Sequence, residues 1–377
     1  MQNLQVPQGK FTLQRLPVRK KESLRPWDAA DELLLNYLSN QQTLQSNQQL
    51  VIVNDAFGAL TVPLTSYNPT AFGDSCLAFK AIDHNLELNK RASEAVKKVA
   101  SDQPLEHRID VLIIKIPKTL ALLEDQLIRV RPFCHSGTKI IAAGMVKNIH
   151  TSTLSLFETI IGPTKTSLAK KKARLIFSDY NETLAEVANS YPDTFKLEGT
   201  DYEIVSHAGV FSAKRLDIGT RLLLQHLPVI DGAKRIVDLG CGNGVLGLVA
   251  AIKHEQADII FTDESYHAIA SARDTFKRAF GDSRKADFIV TDCLQDAKVT
   301  DVDLVLINPP FHQHNALSTQ TAVQMFREAR EVLKQGGVIT VVGNRHLNYH
   351  QDLKHIYGNF VNIASNKKFV ILKAVKR

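Results

Sequence analysis

Ile236-Val237-Asp238-Leu239-Gly240-Cys241-Gly242-Asn243-Gly244 opens as an apolar, β-branched run and ends in residues that a strand cannot continue through. Such a run reads as a buried parallel strand delivering its last residues at the carboxyl edge of a sheet, where ligands bind. Val305-Leu306-Ile307-Asn308-Pro309-Pro310-Phe311 repeats the plan, Asn308 lying 70 positions after Asp238. The pair predicts a glycine loop at one strand end and a polar, aromatic tetrapeptide at another.

Strand and helix patterns alternate outward from these segments. Strand Arg235 to Leu239 is followed by a helix from Val245 through His254, and strand Ile259 to Thr262 by a helix from Ser265 to Phe280. Strands at Phe288 to Val290 and Leu304 to Ile307, a helix around Thr321 to Leu333, and strands at Val338 to Val342 and Lys368 to Ala374 complete the series. This order predicts βαβ units in a mostly parallel, doubly wound sheet. The last two strands, separated by a helix-compatible stretch from Tyr349 to Tyr357, predict an antiparallel pair at one edge. Earlier in the chain the plan recurs weakly. Leu50-Val51-Ile52-Val53-Asn54-Asp55-Ala56-Phe57-Gly58 resembles the first segment with a single glycine. Asp110 to Lys118 resembles the second, with Lys115 and Ile116 where the asparagine and first proline would stand.

The glycine loop Gly242-x-Gly244-x-x-Gly247, with Asp263 placed 21 positions after Gly242, also satisfies the dinucleotide pattern. Two features favour S-adenosylmethionine over a nicotinamide. Asp238 precedes the glycines where a carboxylate can hold an amino group through water or backbone, and hydride transfer has no evident use for Asn308-Pro309-Pro310-Phe311. The expected cofactor residues are Asp238, Gly240, Gly242, Gly244, Asp263 for the ribose hydroxyls, Asp292 for the adenine amine, and Asn308. Asp292 reads equally as a turn or cap residue.

Asn308, Pro309, Pro310 and Phe311 are the expected catalytic residues. A ring-conjugated amine is a poor nucleophile because its lone pair is delocalised. Accepting its hydrogens on the Asn308 side-chain oxygen and the Pro309 carbonyl steers that lone pair out of the ring plane. The prolines stiffen the carbonyl, and Phe311 offers a stacking face. His312 reads as a substrate contact, with a general base as the second reading, and no metal site is expected. Asp217, before the helix carrying Arg221 to Leu227, reads either as a helix cap or as part of a lid with Phe211.

The expected fold class is therefore α/β, a Rossmann-like class I methyltransferase domain (196–377) preceded by a degenerate duplicate of the same fold (1–195). The connection is expected near Lys172 to Tyr202. A chain of 377 residues with 44% hydrophobic and 23% charged residues suits two globular domains. Four scattered cysteines form no CxxC pair, and no apolar run approaches a membrane span of ~18 residues, so a cytoplasmic setting without membrane is expected. The net charge of +7 is shared by both halves. Basic clusters at Arg15, Arg19, Lys20, Lys21 and Arg25, and at Lys165, Lys170, Lys171, Lys172 and Arg174, suit a phosphate backbone or a solvated surface.

Asp28 to Glu32, Asn54 to Leu60, Lys115 to Leu120, His150 to Thr153, Lys171 to Leu175, Leu216 to Gly219, Asn308 to His312 and Asn344 to Leu347 together resemble the bacterial ribosomal RNA guanine-N2 methyltransferases. The resemblance spans the whole chain. It is nearest to the large-subunit (23S) branch, with the small-subunit (16S) branch a near relative. It implies a non-catalytic N-terminal copy that helps bind RNA and methylation of the N2 amine of one guanine. The implied partner is ribosomal RNA, free or in a subunit assembly intermediate, with no obligate protein partner. The competing enzyme reading is a protein glutamine methyltransferase. An RNA-binding or assembly factor is the alternative from another class.

Overall fold

Buried strands rich in Val, Ile and Leu form the centre of two seven-stranded sheets in the computed structural model. It describes residues 1–18, 22–310 and 316–377, the side chains of 316–319 excepted. The chain divides into two units, Met1–Ser190 and Tyr191–Arg377.

The first unit runs β1 (Gln2–Val6), β2 (Gly9–Leu13), α1 (Ala29–Asn40), β3 (Leu50–Val53), β4 (Thr70–Gly73), α2 (Cys76–Leu88) and β5 (Lys97–Ala100). It continues through β6 (Val111–Lys115), α3 (Leu120–Val130), β7 (Lys139–Met145), α4 (Thr151–Ile160), β8 (Thr164–Thr166) and β9 (Ala173–Asp179). The second unit begins with the ribbon β10 (Asp193–Lys196) and β11 (Glu203–Ser206), then α5 (Ile218–Gln225), β12 (Arg235–Leu239), α6 (Val245–Lys253), β13 (Asp258–Asp263), α7 (Tyr266–Phe280) and β14 (Ala286–Val290). It closes with β15 (Val302–Ile307), α8 (Ala316–Val332), β16 (Leu333–Asn344), α9 (Tyr349–Tyr357), β17 (Val361–Ser365) and β18 (Phe369–Val375).

The two large sheets have one topology. Strand order is β5-β4-β3-β6-β7-β9-β8 in the first unit and β14-β13-β12-β15-β16-β18-β17 in the second. In each, five parallel strands are followed by an antiparallel pair. The central strands are mostly apolar because both faces are covered. On β12, β13 and β15, Ile236, Ile259, Phe261, Leu304 and Leu306 join one core while Val237, Leu239, Ile260, Val305 and Ile307 join the other. Residues alternating along a strand point to opposite faces, so one run fills both.

Three expectations need correction. The boundary at 195/196 would cut β10, whose Asp193–Lys196 pairs with Glu203–Ser206, so the division falls at 190/191. The connection does not start at Lys172, because Ala173–Asp179 is a strand inserted between β7 and β8. The last predicted strand corresponds to β18 (Phe369–Val375), which lies inside the sheet between β16 and β17; β17 forms the edge.

Candidate active site

Strand order reverses between β12 and β15 in the second unit, the switch point where open α/β sheets bind ligands beyond their carboxyl ends. Gly240 follows β12 and Asn308 follows β15. The loop after β12 is shaped by left-handed backbone at Gly240 (φ +71°), Gly242 (+54°) and Gly244 (+76°), a region that side chains with a Cβ rarely adopt. A Cβ on Gly242 would meet nothing within 4 Å, so this backbone borders open space. Gly247 has another use: a Cβ there would lie 2.2 Å from the Phe261 ring, so its absence lets α6 settle on the sheet.

The Asp263 carboxylate pins this loop. One oxygen accepts from the Gly242 N–H at 3.0 Å and the other from the Ser265 N–H at 3.0 Å. Asp238 is fully buried. Its Oδ2 accepts from the Gly247 N–H at 2.8 Å, while its Oδ1 has no partner among the described residues. Burial pushes this carboxyl up to about 8, with Asp263 adding to the shift and the Gly247 N–H opposing it. Asp292 is buried just beyond β14, where the Thr291 N–H reaches the Asp263 carbonyl at 2.9 Å.

Asn308 carries the most directional group. Its Nδ2 donates to Thr220 Oγ1 at 2.8 Å, and its Oδ1 is buried without a partner among the described residues. Pro309 is buried and Pro310 exposed, whereas Phe311 and His312 lie outside the described residues. Asp217 is the N-cap of α5 and accepts from the Thr220 N–H at 3.0 Å, which establishes the cap. Phe211 is 62% exposed. Thr220 is the contact that sequence reading missed; the Asp217-x-x-Thr220 spacing marks a helix start, but nothing local indicates a partner 88 positions away.

The equivalent places in the first unit follow from strand register. Leu239 aligns with Thr262 and Ile307, and Val53 with Phe72 and Ile114. Asn54 (φ +64°) thus stands at Gly240, Gly58 (+78°) at Gly244, Ile52 at Asp238, Gly73 at Asp263, Asp102 at Asp292 and Lys115 at Asn308. Asp55 fills its own loop, accepting from the N–H groups of Ala59, Leu60 and Thr61 and from the Thr61 hydroxyl.

Lys115, at the place of Asn308, is paired within its own unit. Its ammonium is 2.7 Å from Asp31 and 2.9 Å from Asp28, in the first turn of α1. Burial opposes the charge on Lys115, but the two carboxylates outweigh it and hold the lysine pKa above its ordinary value. Burial likewise pushes Asp31 up to about 6. Lys170, Lys171 and Lys172 are exposed between β8 and β9, with Lys171 within 3.3 Å of Glu32. Arg174 is half-buried on β9. In the N-terminal arm, Arg15 pairs with Glu22 and lies over the Phe57 ring, while Arg25 pairs with Glu32. Arg19, Lys20 and Lys21 lie outside the described residues.

Among the described residues, no helix is long and apolar enough to cross a membrane, and no three His, Cys, Asp or Glu side chains converge as metal ligands.

Residues 1–182 match the family described as RLMG N-terminal domain, and residues 201–373 the Methyltransferase small domain. The chain is 48% identical over 384 residues to the ribosomal RNA large subunit methyltransferase G of Streptomyces griseus, covering all of both chains. It is 45% identical to that of Aeromonas salmonicida, covering 98% of this chain and 97% of the relative. Among solved structures, the T. thermophilus 16S rRNA N2 G1207 methyltransferase in complex with AdoMet and guanosine superposes with a TM-score of 0.79 at 19% identity, over 100% of this chain and 98% of the other. That likeness establishes a shared fold. Identity of this extent over full length establishes more: the protein belongs to the ribosomal RNA large subunit methyltransferase G family.

Proposed function

We propose that the protein transfers a methyl group from S-adenosylmethionine to the exocyclic N2 amine of a guanine in 23S ribosomal RNA, the second unit carrying the chemistry and the first binding RNA. The observation that carries this reading is the Asn308 side-chain oxygen, buried and without a partner among the described residues, at the switch point of the sheet. A buried acceptor left unmatched is costly and calls for a donor from beyond the described residues. An exocyclic amine supplies one. The large-subunit names of full-length relatives favour 23S over 16S RNA.

The residues present fit S-adenosylmethionine, the cofactor of this methyltransferase family. The backbone at Gly242 borders open space, Asp238 Oδ1 has no partner among the described residues, and Asp263 and Asp292 stand at successive strand ends. Gly240, Gly242 and Gly244 allow close backbone approach, Asp263 accepts the ribose hydroxyls, Asp292 the adenine amine, and Asp238 steadies the loop nearest the amino-acid portion. When bound, the cofactor supplies a methyl group activated by the positive charge on its sulfur.

Asn308 Oδ1 and the Pro309 carbonyl hold the two amine hydrogens and turn the nitrogen lone pair out of the ring plane. Neither acceptor is a base of useful strength, so the proton lost on N–C bond formation passes to water. Alignment and electrostatics supply the acceleration. Phe311 is assigned to stacking on the base and His312 to substrate contact, while Lys170, Lys171, Lys172 and Arg174 are assigned to phosphates.

Labelled methyl transfer to 23S RNA, 16S RNA and a glutamine-bearing protein, followed by digestion to nucleosides, tests the reading. N2-methylguanosine from 23S RNA is the expected product. Label on 16S RNA alone, on another atom, or on the protein would overturn it.

A further inference from the structure

Asn308 faces a difficulty that a carboxylate in its place would not. The two terminal atoms of its amide are alike in shape and opposite in chemistry, and only the oxygen can receive an N–H from substrate. Something must hold the amide the right way round.

We propose that Asp217 and Thr220 are positioning residues that lock the Asn308 amide with its oxygen toward the amine, an inference that rests on the role given to Asn308 above. Asp217 Oδ2 accepts from the Thr220 N–H at 3.0 Å and lies 3.4 Å from the Thr220 hydroxyl. A carboxylate only accepts, so the single hydroxyl proton of Thr220 is directed to Asp217. The lone pairs on Thr220 Oγ1 are thereby left for a donor, and Asn308 Nδ2 meets them at 2.8 Å. Turning the amide over would set two oxygens face to face and leave an NH₂ where substrate must donate. The chain of polarity runs from Asp217 through Thr220 to Asn308 and ends at Oδ1, which has no partner among the described residues.

The first unit uses the same three places differently. Asp28 is the N-cap of α1, Asp31 is three residues on, and Lys115 ends the equivalent strand. Lys115 there bonds both carboxylates, so the chain closes on itself as an ion pair and presents no acceptor. The coupling between strand end and first helical turn thus occurs in both copies, and the copy with an intact glycine loop is the one that ends in an acceptor without a partner among the described residues.

Full-length protein, labelled S-adenosylmethionine and 23S RNA test this. Thr220→Val keeps the shape and removes the hydroxyl; it is expected to lower kcat about tenfold or more while cofactor affinity by calorimetry stays within about twofold of wild type. Thr220→Ser is expected to restore most of the loss, and Thr220→Ala tests the same hydroxyl should the valine variant fold poorly. In an Asn308→Ala background, Thr220→Val is expected to add nothing, because there is no amide left to orient. Wild-type kcat in both hydroxyl-deleted variants, with Asn308→Ala crippled, would overturn the positioning role and leave Asn308 its own. Fully additive losses would make Thr220 a structural residue. Wild-type turnover in Asn308→Ala would instead defeat the parent reading.

Discussion

The two sheets of this chain share strand order, parallel core and antiparallel edge pair, yet differ at almost every side chain that could touch a cofactor. What they share lies in the backbone. Asn54 and Gly240 both take left-handed φ after the first strand of the sheet, and each N–H reaches the carbonyl of the neighbouring strand, at Phe72 and Thr262 respectively. What differs is chemistry: Ile52 for Asp238, Gly73 for Asp263, Lys115 for Asn308. The fold is therefore stable without the site, as expected where sheet packing supplies the core and function resides in strand-end residues.

The largest expected effect lies in the copy without that chemistry. Lys115→Met removes the partner of two carboxylates in the first turn of α1, and breaking a buried pair costs about 3 kcal/mol or more. Asp31 already has a folded pKa of about 6 against 3.8 for the ordinary carboxyl, so its contribution to stability falls as pH rises between those values. Without Lys115 that pKa moves higher still. The stability lost in the variant should accordingly be greater at pH 8 than at pH 5. Urea midpoints at the two values measure this, and equal losses at both would detach Asp31 from the lysine.

Next comes the other end of the comparison. Asn308→Ala should lower turnover by about 10²-fold, the magnitude seen when one preorganised polar group is removed from a developing transition state. Cofactor affinity and unfolding midpoint should stay near wild type. Retained turnover would show that the two strand ends are alike in doing no chemistry.

These strand ends show how much was legible. The run Val305 to Ile307 and its halt at Asn308-Pro309-Pro310 announced both strand and acceptor, because a buried strand and its terminator are local facts of sequence. The partners were not local: Thr220 and Asp28 lie 88 and 87 residues from the groups they hold. Nothing beside Lys115 in the sequence announces the two carboxylates that hold it. β17 escaped notice because Val361-Asn362-Ile363-Ala364-Ser365 is an exposed edge strand with no continuous apolar run. The ribbon β10 and β11 is too short to show a period, and its omission misplaced the domain boundary by five residues, from 190/191 to 195/196.

A smaller effect should appear at the second strand. Asp263→Ala removes the acceptor that holds the Gly242 and Ser265 N–H groups and the one assigned to the ribose. Hydrogen bonds to charged groups contribute about 1.5–3 kcal/mol, so calorimetry should find cofactor binding weakened by tenfold or more. The reverse change, Gly73→Asp, should create no second site, since Ile52 still stands at the Asp238 position and Asp55 still occupies its loop. A stoichiometry of two in that variant would mean the first unit lacks only one carboxylate.

The smallest effect concerns the lysines that remain available. Lys170, Lys171 and Lys172 are exposed at the turn entering β9, and left-handed backbone at Lys171 (φ +49°) and Lys172 (+61°) marks that turn as tight. If this turn follows a phosphate backbone, each neutralised contact should reduce the slope of log affinity against log salt by about 0.7–0.9. Replacing all three by Gln should lower RNA affinity at physiological salt and more at low salt. Methyl transfer at saturating RNA should be unchanged, because none of the three lies at the switch point where Asn308 stands. Lys171 already faces Glu32 at 3.3 Å, so its single replacement should weigh least, the exchange of one partner for another offsetting part of the gain. An unaltered salt slope in the triple variant would place the RNA on another face and leave the first unit to its structural role.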